Sequence, residues 1–175
     1  MLKIILIVVV VLIAALLAYA ATRPGSFRVR RTASIKASPE KIFPLIADFH
    51  NWTSWSPWEK KDPALKRTFS GAPSGKGAVY AWEGNREVGS GRMEITEASS
   101  PSKVAIQLDF IKPFEGHNAV DFTLQPVGGE TTVAWDMAGH LAYVMKVFGI
   151  FFSMDKMVGK DFEAGLANLK AVAEK

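Results

Sequence analysis

The chain has 175 residues, 21 basic and 17 acidic for a net charge of +4, a mean hydropathy of +0.11 and no cysteine. That length suits a single domain with one core, and the lack of thiols excludes a disulfide framework and any cysteine-ligated zinc site. The positive balance is local: residues 22–41 carry Arg23, Arg28, Arg30, Arg31, Lys36 and Lys41 against Glu40 alone, while residues 42–175 hold 14 basic and 16 acidic side chains. A nucleic-acid surface needs basic residues gathered on one exposed element of the fold, so nucleic acid is not an expected partner.

The first element is an uncharged apolar run of 18 residues, Ile4 to Ala21. As a helix it would measure about 27 Å, close to the ~30 Å hydrocarbon core of a bilayer. Two readings compete for it. A membrane anchor would start after Lys3 and stop at Arg23, whereas a signal peptide would be cleaved near Ala20, after Ala18-Tyr19-Ala20. The run is longer than a signal peptide's usual apolar centre, which favours the anchor. Orientation stays open: the arginines after the span favour a cytoplasmic domain, and a signal-anchor reading exports it. The expected organisation is an anchor or signal peptide over residues 1–22, a linker at 23–26 around Pro24-Gly25, and a domain over 27–175.

Within the domain, Phe27, Val29, Ala33 and Ile35 alternate with polar residues as on a half-buried strand, with Arg31 breaking the apolar side. Ser38-Pro39-Glu40 reads as a helix start, and Ile42, Phe43, Leu45, Ile46 and Phe49 as the apolar stripe of a short helix interrupted by Pro44. Residues 50–65 read as a loop containing Trp52, Trp55 and Trp58. Five strands are expected next, at 77–83, 87–97, 103–110, 115–125 and 131–137, separated by turn signals such as Gly84-Asn85 and Gly128-Gly129. Short connections imply antiparallel hairpins, and Gln107, Asp109, Asp121, Thr123, Thr132 and Asp136 mark one face as solvated. Leu141 to Phe152 is a second apolar stretch, too short to span a membrane; it reads as the start of the last helix plus a packed loop, or as a lid touching lipid. Met154, Met157, Val158, Phe162, Leu166, Leu169 and Val172 then recur at helical spacing, so a long amphipathic helix closes the chain.

This order resembles the START-like (SRPBCC) superfamily, and three stretches carry the likeness: Ile35 to Phe43, Phe49 to Trp58 and Phe162 to Lys170. They are most similar to the polyketide cyclase/dehydrase-like branch. The resemblance covers about Phe27 to Ala173 and implies an α+β helix-grip fold, a curved antiparallel sheet wrapped around a long C-terminal helix. It also implies an apolar cavity between sheet and helix that holds a hydrophobic small molecule or lipid. The expected lining is Trp55 and Trp58 from the loop, Trp82, Leu108, Phe110, Asn118, Val120, Phe122 and Trp135 from the strands, and Met157 and Phe162 from the helix.

The residues name no reaction. His50, His117 and His140 have no paired-ligand spacing, no metal or cofactor is expected, and no glycine loop fits a phosphate. Arg92 and Glu94 share parity and are expected to pair on the solvent face, while Asn118 shares the inward parity of Val120 and Phe122. The leading expectation is a membrane-anchored binding domain for a hydrophobic molecule. An enzyme using Asn118, Arg92 or Glu94 for proton transfer, and an interaction module whose cavity is filled by its own side chains, are the alternatives.

Overall fold

A computed structural model describes residues 1–151 and 153–175. The elements in order are α1 (Leu2–Thr22), β1 (Ser26–Ile35), α2 (Pro39–Ala47), two 3-10 turns (Phe49–Ser54 and Pro57–Lys60), β2 (Lys66–Gly71), β3 (Ala78–Glu83), β4 (Ser90–Ser99), β5 (Lys103–Lys112), β6 (Gly116–Val127), β7 (Glu130–His140), α3 (Tyr143–Phe148) and α4 (Met154–Ala173). The strands form one antiparallel sheet of seven in the order β1-β7-β6-β5-β4-β3-β2. Consecutive strands from β2 to β7 are hairpin neighbours, and β1 closes the order beside β7. This is the helix-grip arrangement, with α4 as the long helix against the sheet.

The sheet sorts its side chains by parity. Val29, Ile95, Ile106, Phe122, Leu124 and Val133 are buried on the inner face. Outward, Arg92 Nη2 donates to Glu94 Oε2 at 2.6 Å, and His117 Nδ1 lies 2.7 Å from Asp109 Oδ1. Arg28 and Arg30 enclose the Asp136 carboxylate from the same outer side, at 2.9 and 3.4 Å.

Arg31, which breaks the apolar alternation of β1, points inward and joins strand to helix. Its guanidinium donates to Asp155 at 2.8 Å and to Glu163 at 2.6 Å, both on α4. It lies flat on the helix at Gly159, where a Cβ would stand 2.0 Å from Arg31 Nη2. Lower on the same helix Gly165 makes room for the Trp135 ring and Pro57, which a Cβ would meet at 2.7 and 3.1 Å. At the far end Lys170 Nζ donates to the Ser34 carbonyl, and the Glu174 carboxylate accepts from the Lys36 amide. α4 therefore runs beside β1 in the same sense, fixed by charge at both ends.

Three local expectations need correction, and one element is unanticipated. Residues 66–71, unassigned between the expected loop and the next expected strand, form an edge strand, β2; its mostly exposed Lys-Arg-Thr-Phe-Ser-Gly gives no apolar alternation to read. The segment after β7 does not begin the last helix: α3 is a separate short helix packed against α1, and Phe152, the end of that apolar stretch, lies outside the described residues. α2 continues through Pro44, whose carbonyl accepts from the Asp48 amide. Within the expected 50–65 loop, the chain forms 3-10 turns at Phe49–Ser54 and Pro57–Lys60, and residues 61–65 stay irregular.

α1 is 21 residues long with a hydropathy of 3.2, long and apolar enough to cross a membrane. Of its residues only Ala20, in the last turn, is buried.

Candidate functional site

The interior between sheet and α4 is built largely from aromatic rings. In the first 3-10 turn, residues three apart share a side, so Trp52 and Trp55 both enter the core. Their indoles cap α2: Trp52 Nε1 donates to the Ile46 carbonyl at 2.9 Å and Trp55 Nε1 to the Leu45 carbonyl at 2.8 Å. These are carbonyls that a helix end leaves without intrahelical partners. Trp55 is 0% exposed, sealed between α2 and the sheet.

Trp135 is the hub. Its ring stacks on Phe162 of α4 with centroids 4.1 Å apart and planes 10° from parallel. Phe122 lies 4.8 Å away, Trp55 5.6 Å and Trp58 5.7 Å. The indole Nε1 of Trp135 is buried and has no hydrogen-bond partner among the described residues. Buried donors are satisfied in the great majority of native sites, so this orphan is a polar irregularity in the ring cluster.

Further along the inner face, toward the start of β6, Val120, Met137 and Leu108 are buried and Phe110 is half-buried against the Trp82 ring at 5.8 Å. Gly91 permits that approach, since a Cβ there would stand 2.4 Å from Trp82. Asn118 is buried with its carboxamide over Gly139, where a Cβ would lie 2.0 Å from its Oδ1 and 3.0 Å from the Phe27 ring. No side-chain hydrogen bond of Asn118 is found among the described residues. Phe27, Trp58, Phe110, Met154 and Val158 are all half-buried against this core.

The expected lining residues therefore divide. Trp55, Trp82, Leu108, Asn118, Val120, Phe122, Trp135 and Phe162 are buried on the inner side, and Trp58 and Phe110 are half-buried. Met157 is 60% exposed and is not part of it. The buried stripe of α4 runs instead through Gly159, Phe162, Gly165, Leu166 and Leu169, because the guanidinium and indole pressed on its two glycines rotate Met157 away from the sheet.

A polar cluster that sequence reasoning missed ties the second 3-10 turn to the sheet edge. Glu59, its side chain only 7% exposed, accepts from the Tyr80 hydroxyl at 2.8 Å and from Arg67 Nε at 2.7 Å. Burial first, and the Glu59 carboxylate second, push the Tyr80 phenol well above its ordinary range. A phenol so held stays a donor, and with both its partners engaged the cluster acts as a strut. The signal was absent from the sequence because Arg67 sits on the unrecognised β2.

Two depressions lie on the outer side of the sheet, and neither is the cavity expected between sheet and α4, since no residue of α4 lines them. One of about 590 Å³ is lined mainly by Arg28, Gln107, His117, Ala138 and His140 together with Asn118, and one of about 400 Å³ by Arg30, Asp121, Asp136 and their neighbours. No group of three or more His, Asp or Glu side chains able to hold a metal occurs among the described residues.

Fold and interior together define a helix-grip protein. Residues 26–174 match the family of polyketide cyclase / dehydrase and lipid transport proteins, and the chain belongs to that family. Among solved structures, the di-domain ARO/CYC protein BexL from the BE-7585A biosynthetic pathway is similar with a TM-score of 0.63 at 12% identity, over 90% of this chain and 53% of that one. A Chromobacterium violaceum protein gives 0.60 at 13% identity over 87% and 99%, and the Aha1 dimer of Colwellia psychrerythraea 0.58 at 18% over 85% and 96%. At these identities the likeness is one of fold. No curated protein matches the sequence.

Proposed function

We propose that the chain is a membrane-anchored binding protein for an elongated hydrophobic molecule carrying a hydrogen-bond acceptor. The observation that carries this reading is the unpartnered Trp135 N–H in an interior otherwise made of apolar side chains. The ligand lies along the inner face of β6 and β7, its acceptor on Trp135 and its other end beside Asn118. Trp135 pairs with Phe122 across the two strands, and the four residues from Phe122 to Asn118 span about 13 Å of strand. Val120, Met137, Leu108 and Phe110 supply the apolar wall between. Affinity then comes from buried apolar area at about 25 cal/mol per Å², and orientation from the two polar groups. α1 places the domain beside the bilayer where such molecules dissolve. The enzyme alternative draws no support from Arg92 and Glu94, which pair with each other on the outer face.

The test is tryptophan quenching by a nitroxide-labelled fatty acid, using the full chain in detergent micelles beside Trp135→Phe. Phenylalanine keeps an aromatic ring in the stack and removes the donor together with the indole's second ring. Saturable quenching with an affinity about tenfold lower in the variant is expected, as a lost hydrogen bond of about 1.4 kcal/mol would give. Equal affinity for both proteins removes Trp135 from the reading, and quenching that never saturates removes the pocket.

A further inference from the structure

One end of the domain carries a set of exposed apolar side chains that the interior does not use. The register puts them together. β1 begins where β7 ends, Ser26 pairing with His140, and β6 begins where β5 ends, Gly116 pairing with Phe110. The 111–115 turn, the 23–25 connection to α1 and the start of the α3 segment thus share one end of the sheet. Ile111 and Phe114 project from the turn, each at least half exposed, and Tyr143, Val144, Phe148 and Phe151 are exposed on and after α3.

α3 is also joined to the apolar helix. It packs against α1, and its Tyr143 hydroxyl donates to the Leu17 carbonyl at 2.6 Å. Leu17 lies five residues inside the end of α1 at Thr22, which is about 7.5 Å of helix. That depth matches the 5–10 Å to which an interfacial helix sinks below the headgroups. The basic residues of this end fit the same level: Arg23 lies 5.9 Å from the Tyr19 ring, Lys146 sits on α3 beside Gly25, and Lys112 flanks the turn opposite Glu115. Tyrosines and cations at the end of an apolar helix are the residues that mark a membrane boundary.

We propose that this end of the domain is seated in the surface of the bilayer that α1 enters. α3 lies in the headgroup layer beside α1, and the 111–115 turn dips its Ile111 and Phe114 into the acyl boundary. The half-buried Phe27 and Phe110 and the Asn118 carboxamide occupy the same end, so the less sealed part of the interior faces lipid and not water. This rests on the anchoring part of the proposed function and is independent of what the interior binds.

The chain's lack of cysteine makes the test direct. Phe148→Cys, Phe114→Cys, Val9→Cys and Val127→Cys are each labelled with a nitroxide in the full chain, reconstituted into phosphatidylcholine/phosphatidylglycerol vesicles. Accessibility to oxygen, which partitions into lipid, is compared with accessibility to a water-soluble nickel chelate. Val9 lies within α1, and Val127 is exposed at the β6–β7 turn, the opposite end of the sheet. The expected result is an oxygen-to-nickel ratio severalfold higher at Phe148 and Phe114 than at Val127, with Val9 higher still. Val9 in lipid with Phe148 and Phe114 indistinguishable from Val127 overturns the proposal and leaves the anchor standing. Val9 in water overturns both. Labels at Phe148 shielded from both reagents, with spin–spin broadening between copies, would show a second chain on this face and overturn it as well.

Discussion

The two ends of the domain are built to different standards. At the end farther from α1, Ile35, Ile42, Ile46, Trp55, Leu124 and Leu169 are all sealed from solvent, and two indoles cap a helix in the process. At the end nearer α1, Phe27, Phe110, Met154 and Val158 are only half-buried, Asn118 makes no side-chain bond among the described residues, and aromatic side chains face outward. One sheet thus carries a closed base and a looser rim. Stability spread unevenly in this way is common where a protein must admit something.

Substitutions can break that contrast or sharpen it. Phe122→Ala, in the sealed base, is expected to destabilise by about 3–5 kcal/mol, the usual range for a buried aromatic. Phe110→Ala at the rim is expected to cost roughly 1–2 kcal/mol, in proportion to its partial burial. Thermal unfolding followed by the near-ultraviolet dichroism of the tryptophans measures both, and equal losses would dissolve the distinction. The two helix glycines give the next comparison. Gly165→Ala drives a Cβ into a rigid indole and Pro57, a clash of about 1–3 kcal/mol that alanine's helix preference of about 1 kcal/mol only partly offsets. Gly159→Ala meets the end of a flexible arginine, so its stability should stay within about 1 kcal/mol of the parent.

Trp135→Phe bears on binding and folding together. It removes a buried donor without a partner among the described residues, along with one ring of a buried, stacked indole, so the ligand-free protein should lose about 1–3 kcal/mol to the space left behind while affinity falls. A loss well above that range would mean that the N–H has a partner in the folded chain. The smallest effect is one of pH. The bond to Arg31 holds the Asp155 carboxyl below its ordinary value of 3.8. Its contribution to stability is complete above that value and is lost as the pH falls through the lower folded one. Asp155→Asn should flatten this part of the acid unfolding curve, and an unchanged curve would show that the pair adds nothing in solution.

Much of this architecture was legible because it rests on period. α1 announces itself by length, β5 to β7 by clean alternation, and α4 by its three- and four-residue spacing. What escaped reading has a shared cause, which is that the deciding partner lies far off in the chain. Arg31 looked like a flaw in a strand until Asp155 and Glu163 were brought to it from more than a hundred residues away. Met157 looked buried because glycines do not register as an apolar face, although Gly159 and Gly165 are where the sheet presses hardest. β2 carries too little apolar pattern to be seen alone and exists because β3 offers it an edge. In the interior, inward parity foresaw the burial of Asn118, Phe122 and Trp135. The orphaned indole could not be foreseen, since it depends on which neighbours fail to supply an acceptor.

The connection between α1 and β1 has a consequence of its own. Only Arg23, Pro24 and Gly25 separate the two elements, a reach of about 10 Å even when fully drawn out. With α1 in a bilayer, a tether that short holds the domain at the surface of one membrane and forbids it to ferry cargo across an aqueous gap. On the proposed function, its exchange partner has to come to it, either by diffusing in the same leaflet or by docking from solution. The molecule would then be a stationary receiver, its traffic set by what arrives.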